Sequence, residues 1–171
     1  MMLTPFWRFA GPAGRSGGRP SLSLIVPNLF VGEYPTPDDA QWLRDEHGVT
    51  AVVNLQDDAD LASKGLDIEE MQLVYRQHGL GFHRVAIPDG DMEVLAARLD
   101  AVVDRLARLV RDGECVYLHC NAGFNRAPTV AIAYLHVHRA LPLSAARDLM
   151  KERRHCLPYM TVLEARYVIG K

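Results

Sequence analysis

Cysteine is scarce in this sequence, which contains only Cys115, Cys120 and Cys156 among its 171 residues. Three cysteines are too few, and odd in number, for a disulfide framework, so we expect a reducing, cytoplasmic setting. Long apolar runs are also lacking. The longest, Val130–Leu135, is far shorter than the roughly 20 residues that a membrane helix needs, and we expect no membrane association. The formal net charge is only -2, so nucleic-acid binding is not expected.

Acidic residues are missing from the start of the chain, where none precedes Glu33. Glycine and proline are dense there and prevent regular structure, which predicts a flexible tail over residues 1–22 and a single domain over residues 23–171. The alternative for this tail is an organelle transit peptide, because the stretch holds arginines and serines but no acid.

Short apolar runs alternate with helical stretches beyond this tail. The pattern predicts strands over Thr50–Leu55, Phe82–Ile87 and Cys115–His119. It predicts helices over Met92–Arg111, where leucines and valines recur on one face, and over Met160–Ile169. Such alternation favours a single α/β domain with a central, mostly parallel sheet flanked by helices.

The most informative segment has a cysteine directly after a strand and an arginine at the start of a helix. Cys120 follows the strand, a loop comes next, and Arg126 opens the helix. At the carboxyl end of a strand, the N–H groups of such a loop can turn inward around an anion, and the helix N-terminus adds its positive dipole end. Both effects favour the thiolate form of Cys120. The guanidinium of Arg126 can donate hydrogen bonds to two phosphate oxygens at once. The predicted phosphate-binding residues are Asn121, Ala122, Gly123, Phe124, Asn125 and Arg126.

The motif His119-Cys120-x5-Arg126 resembles the active-site loop of cysteine-based protein tyrosine phosphatases, and the chain length resembles their dual-specificity branch. The resemblance covers residues 24–155. It implies a dual-specificity phosphatase-like fold and hydrolysis of a phosphomonoester through a phosphocysteine, with Cys120 as the nucleophile. Arg126 and the loop amides would stabilise the transition state, and His119 would support the cysteine. We expect a monomer, and this way of gripping phosphate needs no metal and no cofactor.

The same resemblance implies a general acid on a loop that precedes the cysteine. Asp89, in the segment Pro88-Asp89-Gly90-Asp91, lies 31 residues before Cys120 and is the predicted acid, with Asp91 as the alternative. Both carboxylates also fit an ordinary solvated turn, because Pro-Asp-Gly-Asp is good turn chemistry.

Four segments resemble the plant glucan phosphatases more narrowly. They are Asn54–Asp60, Gly65–Ile68, Arg126–Pro128 and Lys151–Pro158. Ala127 follows the arginine as it does in that branch, whereas the superfamily usually has serine or threonine there, whose hydroxyl helps the thiolate to leave.

Two positions depart from these patterns. Asn125 precedes the arginine where the dual-specificity branch usually has glycine, and Gly123–Arg126 resembles the loop of RNA 5′-triphosphatases of this superfamily. Gly90 stands where plant glucan phosphatases tend to have an aromatic residue that can stack on sugar. We therefore expect a dual-specificity phosphatase that acts on phosphorylated protein. The alternatives are a phosphoglucan phosphatase, an enzyme for triphosphate RNA ends and a catalytically weak module that only binds phosphate.

Overall fold

The structure, a computed structural model, describes Arg15 and residues 18–169. Most of the predicted tail falls on residues 1–14, 16 and 17, which lie outside the described residues. The strands are β1 (Leu22–Val26), β2 (Leu29–Gly32), β3 (Ala51–Asn54), β4 (Gly81–Arg84) and β5 (Val116–His119). The α-helices are α1 (Ala40–His47), α2 (Asp58–Ser63), α3 (Ile68–Gln77), α4 (Met92–Arg111), α5 (Arg126–His138), α6 (Leu143–Arg153) and α7 (Met160–Glu164).

The five strands form one sheet in the order β1-β2-β5-β3-β4. β1 pairs antiparallel with β2, and the other three pairs are parallel. β5 therefore lies at the centre, with the carboxyl ends of β2 and β3 beside its own. This arrangement confirms the single α/β domain with a mostly parallel sheet.

Both faces of the sheet are covered, as the side chains of β5 show. Val116 and Leu118 belong to the core that contains α4 and α5, whereas Tyr117 belongs to the core that contains α1 and α3. This division follows from the alternation of side chains along a strand. Within the part of the chain that the structure describes, no helix has both the length and the apolar character to span a membrane.

Two helices fix the position of the central strand. α4 buries six side chains on one face. Burial of each large aliphatic side chain among them stabilises the folded state by about 1.5–3 kcal/mol. α5 is buried all round over its first ten residues, which is typical of a helix inside a core. Because α5 is held so firmly, Arg126 at its first position is also held.

The observed elements differ from the predictions in three places. α2 has no predicted counterpart, because six residues are too few to show a helical period. The strand predicted over Phe82–Ile87 ends at Arg84, where the parallel pairing with β3 also ends. The helix predicted over Met160–Ile169 is α-helical to Glu164 and continues as a π-helical turn.

The residues just before β1 lie against the domain. Arg15 and Arg19 each place a guanidinium nitrogen 3.0 Å from the buried carboxylate of Asp39. The same guanidinium groups stand over the rings of Tyr34 and Trp42. β1 begins at Leu22, one residue before the predicted start of the domain.

Candidate active site

Cys120 occupies the carboxyl end of the central strand, where it is 3% exposed. Gly32 at the end of β2 and Asn54 at the end of β3 both stand in register with His119, the last residue of β5. Residues that follow these three strands therefore meet at one edge of the sheet. This edge is where ligands bind in open α/β folds.

The loop from Asn121 to Asn125 is held from outside by its carbonyl oxygens. All five accept hydrogen bonds at donor–acceptor distances of 2.7–3.1 Å. The outer donors are the Tyr34 N–H for Asn121, the Arg154 guanidinium for Ala122 and Gly123, the Leu157 N–H for Phe124, and the N–H and hydroxyl of Thr129 for Asn125.

The loop amides consequently turn inward. In a trans peptide the C=O of one residue and the N–H of the next point in opposite directions, so outward carbonyls give inward N–H groups from Ala122 to Arg126. α5 begins at the same point, and its N-cap residue Asn125 makes no side-chain hydrogen bond to the first turn. The orphan N–H groups and the positive end of the helix dipole are left for an anion.

Gly123 is required by the way this loop passes over β2. Its φ is +61°, in the left-handed region. A Cβ built on it would stand 2.4 Å from the carbonyl oxygen of Gly32 and 2.9 Å from the Arg154 guanidinium. The loop and β2 can approach this closely only because position 123 carries no side chain.

The side chain of Arg126 lines the site and is only 2% exposed. Its Nη1 donates to Asp60 Oδ2 at 2.6 Å and to the Ile87 carbonyl at 2.7 Å. Burial alone would lower the pKa of Arg126, but the nearby Cys120, Asp60 and Asp89 raise it above its ordinary value. Arg126 is therefore a permanent cation beside the cysteine.

The structure separates the two candidate acids. Asp89 Oδ1 lies 3.4 Å from Arg126 Nε, and its side chain remains 59% exposed. Asp91 is the N-cap of α4, and its side chain accepts a hydrogen bond from the Val94 N–H at 3.0 Å. Asp89 therefore shares the pocket with Cys120, whereas Asp91 serves the helix.

His119 is fully buried beneath the cysteine. Its Nδ1 lies 3.0 Å from the Cys120 carbonyl, and because a carbonyl only accepts, this nitrogen carries the proton. Burial lowers the pKa of His119 to about 4, and the charge of Arg126 adds to that effect. A neutral His119 thus holds the backbone of Cys120, and its supporting role in catalysis stays a prediction.

Three residues at the site have no role in the sequence-based predictions. Asp60 binds Arg126, and Arg154 binds two loop carbonyls. Tyr159 lies near Asp89 and Gly90. Burial raises the pKa of Tyr159, the Asp89 carboxylate raises it further, and a hydrogen bond with the Gly90 backbone lowers it. Asp60 and Arg154 both fall in segments that resemble glucan phosphatases, which was the only signal available for them.

A small pocket of about 50 Å³ lies at the catalytic loop. It is lined by Asp89, Cys120, Asn121, Ala122, Phe124, Asn125 and Arg126. All the predicted catalytic residues and most of the predicted phosphate-binding residues thus meet there. Among the described residues, no three side chains of His, Cys, Asp or Glu are grouped to share a metal ion.

Comparison with known proteins gives one family model and many relatives. The model for "Dual specificity phosphatase, catalytic domain" matches residues 29–162. The amyloplastic phosphoglucan phosphatase DSP4 of Castanea sativa is 34% identical over 146 residues, which are 84% of this chain but only 39% of that protein. Human dual specificity phosphatase 28 is 30% identical over 150 residues, which are 84% of this chain and 77% of that one.

A solved structure shares the fold. Tk-PTP in its active form superimposes with a TM-score of 0.71 at 24% identity, over 85% of this chain and 95% of that chain.

Proposed function

This chain belongs to the dual-specificity phosphatase family, and we propose that it hydrolyses phosphomonoesters through a phosphocysteine intermediate, with phosphorylated proteins as its main substrates. The observation that carries the proposal is the position of Cys120 at the centre of inward amides, a helix N-terminus and the Arg126 guanidinium. Attack on a phosphate group needs a nucleophile and a set of donors that stabilise the charged oxygens, and this site combines the two.

In the first step the Cys120 thiolate attacks phosphorus in line with the leaving oxygen. The S–P bond forms, the P–O bond to the leaving group breaks, and Asp89 donates the proton that the departing oxygen takes up. The amides and Arg126 bind the three equatorial oxygens, where the transition-state charge is spread.

In the second step a water molecule attacks the phosphocysteine. Asp89, now a carboxylate, accepts a proton from the water, the new P–O bond forms, and the S–P bond breaks to return the thiolate. Ala127 follows Arg126 and has no hydroxyl to assist the leaving sulfur, so the amides and the helix dipole stabilise the thiolate.

The preference for protein substrates rests on the shape of the site entrance. Asp89 is more than half exposed, and Gly90 adds no side chain to the wall beside it. An open entrance accepts phosphoserine and phosphothreonine, which are short, as well as phosphotyrosine.

A phosphoglucan is the second candidate substrate. It is supported by the similarity to the Castanea sativa enzyme and by Ala127. It is also supported by Tyr159, which lies beside Asp89 and Gly90 and supplies an aromatic ring where position 90 supplies none. Aromatic rings are common partners for the apolar faces of ligands.

A substrate panel tests these proposals. The panel compares phosphotyrosine peptide, phosphoserine peptide, phosphorylated amylopectin and triphosphate-ended RNA, with Cys120→Ser as the control for contaminating phosphatase. We expect the highest kcat/KM for phosphotyrosine peptide. A kcat/KM about tenfold or more higher for phosphorylated amylopectin would instead identify a phosphoglucan as the main substrate. Absence of turnover on every substrate, together with retained phosphate binding, would indicate a binding module.

A further inference from the structure

We propose that Asp60 is a positioning residue, which sets the guanidinium of Arg126 at the angle required to receive a phosphate. The inference rests on the proposed phosphatase function, because it concerns the same site. Asp60 belongs to α2, the helix that the sequence pattern did not predict, and it is only 7% exposed.

The carboxylate of Asp60 connects the two ends of the catalytic loop. Its Oδ1 accepts from the Asn121 side-chain amide at 2.7 Å, at the start of the loop. Its Oδ2 accepts from Arg126 Nη1 at 2.6 Å, immediately after the loop. A change in the position of this one carboxylate therefore moves both ends of the anion cradle.

Further bonds fix the carboxylate itself. The backbone N–H of Asp57 donates to Oδ2 at 3.1 Å, a bond that alanine at position 57 would keep, whereas the Asp57 side chain accepts only from the Asp60 backbone N–H at 2.8 Å. The Gln56 amide donates to the Asn121 side-chain oxygen at 2.8 Å. Burial alone would raise the pKa of Asp60, but Arg126 and these other donors hold it below its ordinary value. Asp60 is thus a fixed anion.

This fixed anion decides which edge of the guanidinium faces the pocket. The group is planar, so attachment of Nη1 to Asp60 and to the Ile87 carbonyl orients the whole plane. Nη1 is then engaged with protein, whereas the buried Nε has no hydrogen-bond partner among the described residues and lies 3.4 Å from the exposed carboxylate of Asp89. The Nε–Nη2 edge remains as the fork that can donate to two oxygens of one phosphate.

A purely structural role for Asp60 gives a different expectation. Asp60 and Asp57 cap the start of α2 together, so a general loosening of this helix would follow from the loss of either. Of these two carboxylates, Asp60 is the one that binds Arg126 and Asn121. Asp57→Ala is therefore the matched control: it removes the helix cap and leaves the contacts of Asp60 to the catalytic loop in place.

The test measures two quantities on the full chain, the affinity for inorganic phosphate by calorimetry and kcat/KM for an aryl phosphate. Asp60→Asn keeps the size of the side chain but replaces one acceptor oxygen by a donor, so it cannot serve both Arg126 and Asn121. We expect phosphate affinity and kcat/KM to fall by about 10–100-fold, as small displacements of positioned groups typically do. Asp57→Ala lowers the denaturation midpoint and leaves phosphate affinity within about twofold.

A double-mutant cycle separates positioning from stability. In an Arg126→Lys background, Asp60→Asn should weaken phosphate binding by much less than it does in the wild type, because the fork that it orients is gone. Equal losses in both backgrounds, or an equal loss in Asp57→Ala, would overturn the proposal. If Asp60→Asn does not fold, Asp60→Glu keeps the charge but moves the carboxylate, and wild-type phosphate affinity in that variant would also overturn it.

Failure of the proposed phosphatase function can be distinguished from failure of the positioning role of Asp60. A chain without turnover whose phosphate affinity still depends on Asp60 would retain the positioning role and discard the phosphatase function. A chain with Cys120-dependent turnover whose phosphate affinity and kcat/KM are unchanged by Asp60→Asn would retain the phosphatase function and discard the positioning role.

Discussion

Replacement of Asp89 by asparagine is expected to change turnover and phosphate binding in opposite directions. The carboxylate lies 3.4 Å from Arg126 Nε, which is the nitrogen that a phosphate oxygen must approach. Whenever Asp89 is ionised, rather than carrying the proton that the first step requires, it competes with phosphate for Arg126 and repels it. The neutral asparagine does neither, but it has no proton to give to a leaving oxygen.

Both magnitudes follow from this geometry. Because the Asp89 side chain is 59% exposed, the dielectric constant of water is the appropriate one, and unit charges about 4 Å apart then interact by about 1 kcal/mol. For a phosphate that carries one to two charges, removal of the repulsion corresponds to roughly 5–30-fold tighter binding. Loss of a general acid costs about 10²–10⁴-fold in turnover, and much less on activated aryl phosphates, whose leaving groups need little protonation.

Calorimetric titration with inorganic phosphate, at low and high ionic strength, measures the first effect. Turnover of an alkyl and an activated aryl phosphate measures the second. Asp91→Asn is the control, because asparagine caps a helix as well as aspartate does and the Asp91 side chain is engaged by the Val94 N–H at 3.0 Å. The reasoning fails if Asp89→Asn binds phosphate no more tightly than the wild type, or if its advantage is unaffected by salt.

Three further predictions concern Cys120, Gly123 and His119. Cys120→Ser should abolish phosphate release but keep phosphate binding within a few-fold of wild type, as calorimetry would show, and turnover above a mock preparation would contradict this. Gly123→Ala should destabilise the fold by about 2–4 kcal/mol in urea unfolding, because a Cβ would stand 2.4 Å from the Gly32 carbonyl oxygen and the φ of +61° strains alanine; an unchanged midpoint would refute the close approach. Burial lowers the pKa of His119 from 6.5 to about 4, so the unfolded chain binds the proton more readily. Stability should be complete above pH 6.5 and fall by up to about 3 kcal/mol as the pH drops towards 4, and His119→Gln should flatten that slope in urea unfolding measured across pH.

Local patterns explain what the sequence could predict. The bounds of α4 agree with the predicted Met92–Arg111 because a long amphipathic stretch repeats its signal many times. The strand, Cys120, the loop and Arg126 are contiguous, so their arrangement also followed from sequence order. Residues that act from a distance gave no such signal. Asp60 is 66 positions from Arg126 and Arg154 is 31 from Gly123, and only the folded sheet brings them together.

The candidate acids show the same limit on a smaller scale. Asp89 and Asp91 are two residues apart and chemically identical, and turn chemistry suits both. Their separation depends on the start of α4, whose first turn takes the Asp91 carboxylate as its cap. The sequence favoured Asp89 from its position 31 residues before Cys120, and in the structure its carboxylate lines the pocket with Cys120 whereas Asp91 caps α4. The role of Asp89 as the acid stays a prediction.

The outward anchoring of the loop carbonyls has an evolutionary consequence. The atoms that face the anion are peptide N–H groups, which every amino acid except proline carries. Mutations at Ala122 or Asn125 therefore leave the donors in place and alter only what surrounds them, whereas Gly123 tolerates no side chain. Substitutions that accumulate at these neighbouring positions can thus change the surroundings of the anion site while its backbone donors persist.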